Sequence, residues 1–204
     1  MIKSYDNSVF INCPFDENYK EIFYAIIFTV YRCGFVPRSS LEQDNALENR
    51  LSKIEKIIEE CRFGIHDISR TEINANALPR FNMPFELGIF FGAKKFGDVR
   101  QRHKTALVLE YQKYLYQQYI SDLNGIDTYA HGNDPAKVIK IIRDWLYASS
   151  GKKLIDGHLI ITKDYKSFRD KLPEIAADTG LDINDLHFND YCYIVEISLM
   201  PYMK

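Results

Sequence analysis

The chain alternates short apolar runs with longer stretches in which apolar residues recur at helical spacing, and this alternation limits its fold more than any other feature. The apolar runs that predict strands are residues 8–12, 35–38, 62–67, 105–109 and 125–129. The stretches between them that predict helices are residues 17–33, 46–61, 84–95 and one that begins at 135. Strand–helix alternation favours a parallel sheet with helices on both faces. We therefore expect an α/β fold with an open, mostly parallel five-stranded sheet in the flavodoxin-like order 2-1-3-4-5.

The pattern changes after Ser149-Ser150-Gly151. Residues 162–179 and 188–199 are typical of helices, and Pro173 is expected to kink or split the first of them. The sequence thus predicts an α/β domain in residues 1–150 and a helical extension in residues 151–204. We expect the extension to dock either on the sheet domain or on a partner chain, which includes a second copy of this one.

Composition narrows the classes of partner. The 204 residues carry a formal net charge of −2, which does not favour binding to nucleic acid or to an anionic membrane. The four cysteines lack zinc-ligand spacing, so we interpret them as reduced thiols and expect no metal. The first residues lack the apolar core of a signal peptide, and the longest apolar stretch is too short to span a bilayer. A cytoplasmic protein is expected.

Open parallel sheets bind ligands beyond the carboxyl ends of their strands, where the strand order reverses. In the expected order, strands one and three flank that point. The loop after strand one contains Asn12, Pro14, Phe15 and Asp16, and the loop after strand three runs from Asp67 through Ser69 to Arg70. The next helix carries Glu86. Fold logic therefore predicts that Asp16, Asp67 and Glu86 converge.

Glu86 stands out because it interrupts an otherwise apolar run, Met83 to Phe91. Such a carboxylate either satisfies a helix start or performs chemistry. If Met83 is the cap, Glu86 is the third helical residue, where it bonds back to the backbone and the helix dipole keeps it ionised. The ionised state also suits a nucleophile or a group that stabilises an oxocarbenium ion.

Two segments carry a resemblance to a known family. Val9-Phe10-Ile11-Asn12-Cys13-Pro14-Phe15 resembles the strand and Pro-Phe opening of nucleoside 2-deoxyribosyltransferases. The strand that ends at Asp67, followed by Glu86-Leu87-Gly88-Ile89-Phe90-Phe91-Gly92-Ala93, is similar to the Asp…Glu-Leu-Gly-x-Ala pattern of that family and to TIR-like NAD-cleaving domains. The resemblance covers residues 8–110. A glycine-rich phosphate loop after the first strand is missing.

The resemblance implies that Glu86 is a nucleophile or oxocarbenium stabiliser at an N-glycosidic bond, with Asp67 as the proton donor to the leaving base. The residues expected to bind the substrate are Asn12, Pro14, Phe15, Asp16, Ser69, Arg70 and Asn82. The expected ligand is a nucleoside or nucleotide, with NAD as the first candidate substrate and with no resident cofactor. For TIR-like bacterial proteins, the resemblance also implies a role in antiviral defence.

Several of these residues also have a purely structural interpretation. Asp67 is also typical of a turn cap and Asp16 of a helix cap. His66 is expected to be a packed histidine, while His131 follows the fifth strand without a visible partner. Residues 94–104 are basic and are expected to form a solvated loop.

The sequence therefore favours an enzyme that cleaves or transfers at an N-glycosidic bond. Two alternatives stay open: a module that senses a nucleotide without turning it over, and an interaction domain in which the helical extension is the docking element.

Overall fold

A computed structural model describes residues 3–42, 47–69, 81–152 and 154–200. Its five strands form one parallel sheet. They are β1 (Ser8–Asn12), β2 (Val36–Arg38), β3 (Phe63–Asp67), β4 (Thr105–Glu110) and β5 (Thr128–Ala130). The order is β2-β1-β3-β4-β5, which confirms the expected α/β fold and its order 2-1-3-4-5. The order reverses between β1 and β3, where a ligand site is expected.

Helices lie on both faces of the sheet. They are α1 (Lys20–Arg32), α2 (Arg50–Glu59), α3 (Asn82–Phe96), α4 (Pro135–Ser150), α5 (His158–Asp178) and α6 (Phe188–Leu199). Alternation along β1 shows how the two faces are filled, because successive strand residues point to opposite sides. Val9 and Ile11 join the core that contains α1 and α4, whereas Phe10 packs with α2 and Phe90 of α3.

The C-terminal extension packs on α1 of the same chain. Tyr24 of α1 stacks on Tyr191 of α6 with ring centroids 3.8 Å apart, and Phe28 meets Phe168 of α5 at 5.2 Å. The two outer helices therefore share the core of the sheet domain, which explains why α1 is apolar on most of its faces. Pro173 lies inside α5 and does not split it.

Several element starts differ from the sequence expectations. Helix α2 begins at Arg50, where Asn49 Oδ1 accepts a hydrogen bond from the Leu51 N–H at 2.8 Å. Helix α1 begins at Lys20, because a short 3₁₀ turn, Glu17–Tyr19, comes first and the Asp16 side chain does not cap it. Helix α4 begins at Pro135 as predicted, and Asp134 caps it by accepting a hydrogen bond from the Ala136 N–H at 2.9 Å.

Within the described ranges, no helix combines the length and the apolar character needed to cross a bilayer.

All four cysteines are free and buried.

Candidate active site

A pocket of about 350 Å³ opens beside the carboxyl end of β1. Three elements line it: the loop after β1, the first turns of α3, and the start of α2. Six of the residues predicted to form the site are among its lining residues: Asn12, Pro14, Phe15, Asp16, Asn82 and Glu86. The convergence of the first strand loop with the helix that carries Glu86 is thus present in the fold.

Glu86 is the fifth residue of α3, since the helix begins at Asn82 rather than at Pro84. Only the first four N–H groups of a helix lack intrahelical partners, so Glu86 does not occupy the capping position that we expected. Its side chain is 9% exposed, and Arg50 Nη2 lies 3.9 Å from its Oε1. In the described part of the chain it accepts no hydrogen bond within 3.5 Å.

Burial raises the pKa of Glu86 to about 7, and the attraction of Arg50 opposes this only in part. The expectation that the helix dipole keeps Glu86 fully ionised is therefore wrong. The cost of desolvating the carboxylate outweighs the attraction of the arginine. At neutral pH the carboxyl group is close to half ionised, which suits a residue that works near physiological pH.

Cys13 is the other nucleophile that lines the pocket. Burial raises the pKa of its thiol well above the ordinary value, and the carboxylates of Asp67 and Glu86 add to the effect. Because the thiolate is the reactive form of cysteine, this raised pKa disfavours Cys13 as a nucleophile at neutral pH. Glu86 is thus the better nucleophile of the two.

Asn12 positions the start of α3. Its Nδ2 donates to the Met83 carbonyl at 2.8 Å and lies 3.0 Å from His66 Nδ1. These contacts tie the end of β1 to the first turn of the helix that carries Glu86. His66 is fully buried, and burial together with Lys104 lowers its pKa to about 3, so the ring is neutral and accepts from Asn12 through Nδ1. The interpretation of His66 as a packed histidine agrees with this placement.

Asp67 lies in a separate buried cluster and does not line the pocket. Its Oδ2 accepts from the Tyr19 hydroxyl at 2.5 Å and lies 2.9 Å from His131 Nε2, while its Oδ1 accepts from the Ser69 N–H at 2.8 Å. His131 Nε2 also lies 2.9 Å from Ser69 Oγ, and its Nδ1 accepts from the Asn133 N–H at 3.0 Å. The Nε2 proton of His131 therefore faces Asp67.

These contacts decide the charge of Asp67. Burial by itself would raise the pKa of this carboxyl, but the hydrogen bonds from His131, Ser69 and Tyr19 outweigh burial and lower it. Asp67 is ionised and fully buried, so it holds no proton to donate at neutral pH. Its role as proton donor stays a prediction, and the geometry weighs against it. Ser69, expected to bind substrate, is also buried in this cluster.

Phe15 keeps 40% of its surface exposed, and the edge of its ring meets Phe23 with centroids 5.4 Å apart. It borders the pocket and is free to contact a ligand ring. Arg70 lies outside the described residues. Among the residues that are described, no group of three or more histidine, cysteine or acidic side chains is arranged to hold a metal ion.

Sequence reasoning missed Arg50 and Tyr19, and it placed His131 after the fifth strand without a partner. Arg50 was treated as one residue of an amphipathic helix, and no local signal showed that the start of α2 reaches the pocket. His131 had one usable signal, namely its position just after the fifth strand, at the same sheet edge as Asp67.

A scan against models of protein families, a search of curated proteins and a search of solved structures each found no significant match. Statements about the chemistry of the pocket therefore rest on its geometry. A poorly solvated carboxylate at one wall, an arginine beside it and an exposed phenylalanine at the rim suit a small cationic or sugar-bearing ligand with an aromatic group.

Proposed function

We propose that the pocket binds a nucleoside or nucleotide and that Glu86 promotes cleavage or transfer at its N-glycosidic bond, with NAD as the first substrate to test. One observation carries the proposal: Glu86 lines a pocket of nucleoside size, is nine-tenths buried, and accepts no hydrogen bond within the described residues. A carboxylate in this state interacts strongly with positive charge, because little water screens it.

The reaction begins with breakage of the bond between the anomeric carbon and the base nitrogen. The electron pair leaves with the base, and the sugar becomes oxocarbenium-like. Ionised Glu86 stabilises this positive charge, either electrostatically or by forming an ester to the anomeric carbon. Water or a second base then supplies the new bond, and a proton released from attacking water passes to a base such as Glu86 or to solvent.

The leaving group distinguishes the substrates. A purine or pyrimidine needs a proton as it departs, and Asp67 has none to give in this arrangement. The nicotinamide of NAD leaves as a neutral molecule when its pyridinium accepts the electron pair. A cationic nicotinamide nucleotide therefore needs no proton donor at this site, and its positive charge is attracted to Glu86. The family resemblance of residues 8–110 supports the same reaction class and extends the proposal to bacterial antiviral defence.

The direct test incubates the protein with NAD and, separately, with deoxynucleosides, and measures the release of free base by chromatography. We expect nicotinamide release that falls about 100-fold or more in Glu86→Gln. Glu55→Gln is the matched control, because Glu55 is exposed on α2 and does not line the pocket. Wild-type base release that Glu86→Gln leaves unchanged would contradict the role of Glu86. Absence of release together with a rise in melting temperature on nucleotide addition would instead identify a sensor.

A further inference from the structure

A second pocket, of about 510 Å³, adjoins the first. The two share four lining residues: Pro14, Phe15, Asp16 and Arg50. The C-terminal extension supplies part of the second pocket through Leu186, His187 and Phe188. Residues far apart in the sequence thus form one continuous ligand-sized surface, which starts at Glu86 and ends at the N-terminus of α6.

Aromatic rings form one side of the second pocket. The Phe15 ring meets the edge of Phe23, and Phe23 stacks on Phe188 with centroids 6.0 Å apart. Phe23 and Phe188 are each 7% exposed, so their rings are fixed by packing, while Phe15 presents an open surface to both pockets. Such a surface binds the flat face of a nucleobase by stacking.

The basic side chain of Arg50 lies where the two pockets meet. Arg50 is 60% exposed, and in the described part of the chain its guanidinium donates no hydrogen bond to the protein. Lys20 and Lys53 also line the second pocket, together with two acids, Asp16 and Glu17. Lys20 lies 3.6 Å from Glu17 and Arg50 lies 3.9 Å from Glu86, but Arg50 borders both pockets and is therefore the group best placed to donate to an anion that lies between them. Its planar fork of N–H donors matches phosphate oxygens.

We propose that the second pocket binds the phosphate and distal base of a dinucleotide whose scissile bond lies at Glu86, so that the C-terminal extension selects dinucleotides over simple nucleosides. The inference rests on the proposed function for the position of the scissile bond. A pocket of about 350 Å³ lies near the lower end of the range for small-molecule sites, and a pyrophosphate-linked pair of nucleosides needs the adjoining space as well.

The test measures binding by titration calorimetry, with NAD and with nicotinamide riboside, to Glu86→Gln protein that does not consume them. We expect NAD to bind at least tenfold more tightly than the riboside. Two separate substitutions that add a negative charge, Lys53→Glu in α2 and His187→Glu in the extension, should each weaken NAD binding about tenfold and riboside binding less than twofold. Lys56→Glu is the control, since Lys56 is exposed on the same helix as Lys53 and lines neither pocket.

The outcomes separate the two proposals. Equal affinities for NAD and the riboside, or equal effects of Lys53→Glu and Lys56→Glu, would overturn the role of the second pocket even if wild-type protein releases nicotinamide. Selective NAD binding that the two substitutions to glutamate weaken would support the second pocket even if wild-type protein releases no base. A parallel arm titrates ADP-ribose into wild-type protein, which keeps the test valid if the Glu86→Gln change itself impairs binding. The same selective loss in Lys53→Glu is expected there.

Discussion

Arg50 Nη2 lies 3.9 Å from Glu86 Oε1, a separation at which opposite charges attract but no hydrogen bond forms. The two partners differ in environment, because the Glu86 side chain is 9% exposed and that of Arg50 is 60% exposed. Solvent around Arg50 weakens the attraction, so the arginine moderates the effect of burial without cancelling it. The result is a carboxyl group whose pKa of about 7 is set by the balance of these two influences.

Replacing Arg50 with alanine should raise the pKa of Glu86 further. The arginine favours the ionised form, so its loss leaves burial unopposed, and we expect an increase of about one pH unit at low salt. Titration of the Glu86 side-chain carboxyl carbon by NMR measures this without any need for activity. Arg50→Lys should retain part of the effect, and Lys56→Ala should show none. An unchanged Glu86 titration in Arg50→Ala would show that the pair is not coupled.

Glu86 should also destabilise the fold as pH rises. Its pKa is about 7 in the folded protein against an ordinary 4.5, so the folded state holds more protons between these values and loses stability across that interval. Glu86→Gln lacks this loss. We expect its advantage in free energy of unfolding to grow from near zero at pH 4.5 to about 1–3 kcal/mol above pH 7.

Urea unfolding at several pH values measures that difference, with the exposed Glu55→Gln as a reference. An advantage of Glu86→Gln that is the same at pH 4.5 and pH 8 would mean that burial does not raise the pKa of Glu86.

The centre of the sheet was predictable from local pattern because β1 and β3 are buried along their whole length, so that their apolar residues stand close together in the sequence. Residues 8–12 give β1 with its observed bounds, the alternation with helices indicates a parallel sheet, and the flavodoxin-like order expected for such a sheet is the one observed. Of the three acids expected to converge at the reversal of strand order, Asp16 and Glu86 line one pocket and Asp67 does not.

What the sequence did not predict depends on contacts between distant residues. Asp67 meets His131 across 64 positions, and their position at the same sheet edge does not by itself indicate that they pair. The start of α3 at Asn82 was missed because Pro84 is a strong helix-start signal that is equally compatible with the first turn of a helix already begun. The ionisation of Glu86 was misjudged because burial is a tertiary property, whereas the dipole argument uses only the helix that carries the residue.

The Tyr19–Asp67 hydrogen bond should contribute strongly to stability. The Tyr19 hydroxyl donates to a fully buried carboxylate, and hydrogen bonds to charged groups are worth about 1.5–3 kcal/mol. We expect Tyr19→Phe to lose that amount of free energy of unfolding at pH 7. Because the pKa of Asp67 is lowered in the folded protein, the loss should shrink as pH falls below 3.8 and the carboxylate takes up a proton.

Urea unfolding at pH 7 and at the lowest pH at which the protein stays folded checks both parts of this expectation. Tyr193→Phe is the matched control, since Tyr193 is 54% exposed. A cost of Tyr19→Phe that equals the control would show that the hydroxyl is not needed by Asp67.

Lys104 contradicts the interpretation of residues 94–104 as a solvated loop, because its side chain is fully buried. Its Nζ donates to the carbonyl of Ile58 in the last turn of α2 and to that of Cys61 just past the helix, and it lies 4.5 Å from the centroid of the Phe90 ring. The ammonium group thus adds a charged donor to carbonyls at the C-terminal end of the helix, where the Ile58 carbonyl also accepts from the Cys61 N–H. Burial lowers its pKa to about 8.

The lowered pKa of Lys104 predicts a change in the free energy of unfolding in alkaline solution. Between pH 8 and the ordinary value of 10.5 the unfolded chain holds more protons at this residue than the folded protein does, so wild-type stability should rise there. Lys104→Met fills similar space without titrating. We therefore expect wild-type protein to gain about 1–3 kcal/mol relative to Lys104→Met from pH 8 to 10.5, as measured by urea unfolding. The exposed Lys95→Met variant should follow wild-type protein at every pH, and a constant difference between wild-type and Lys104→Met would mean that the amine is not desolvated.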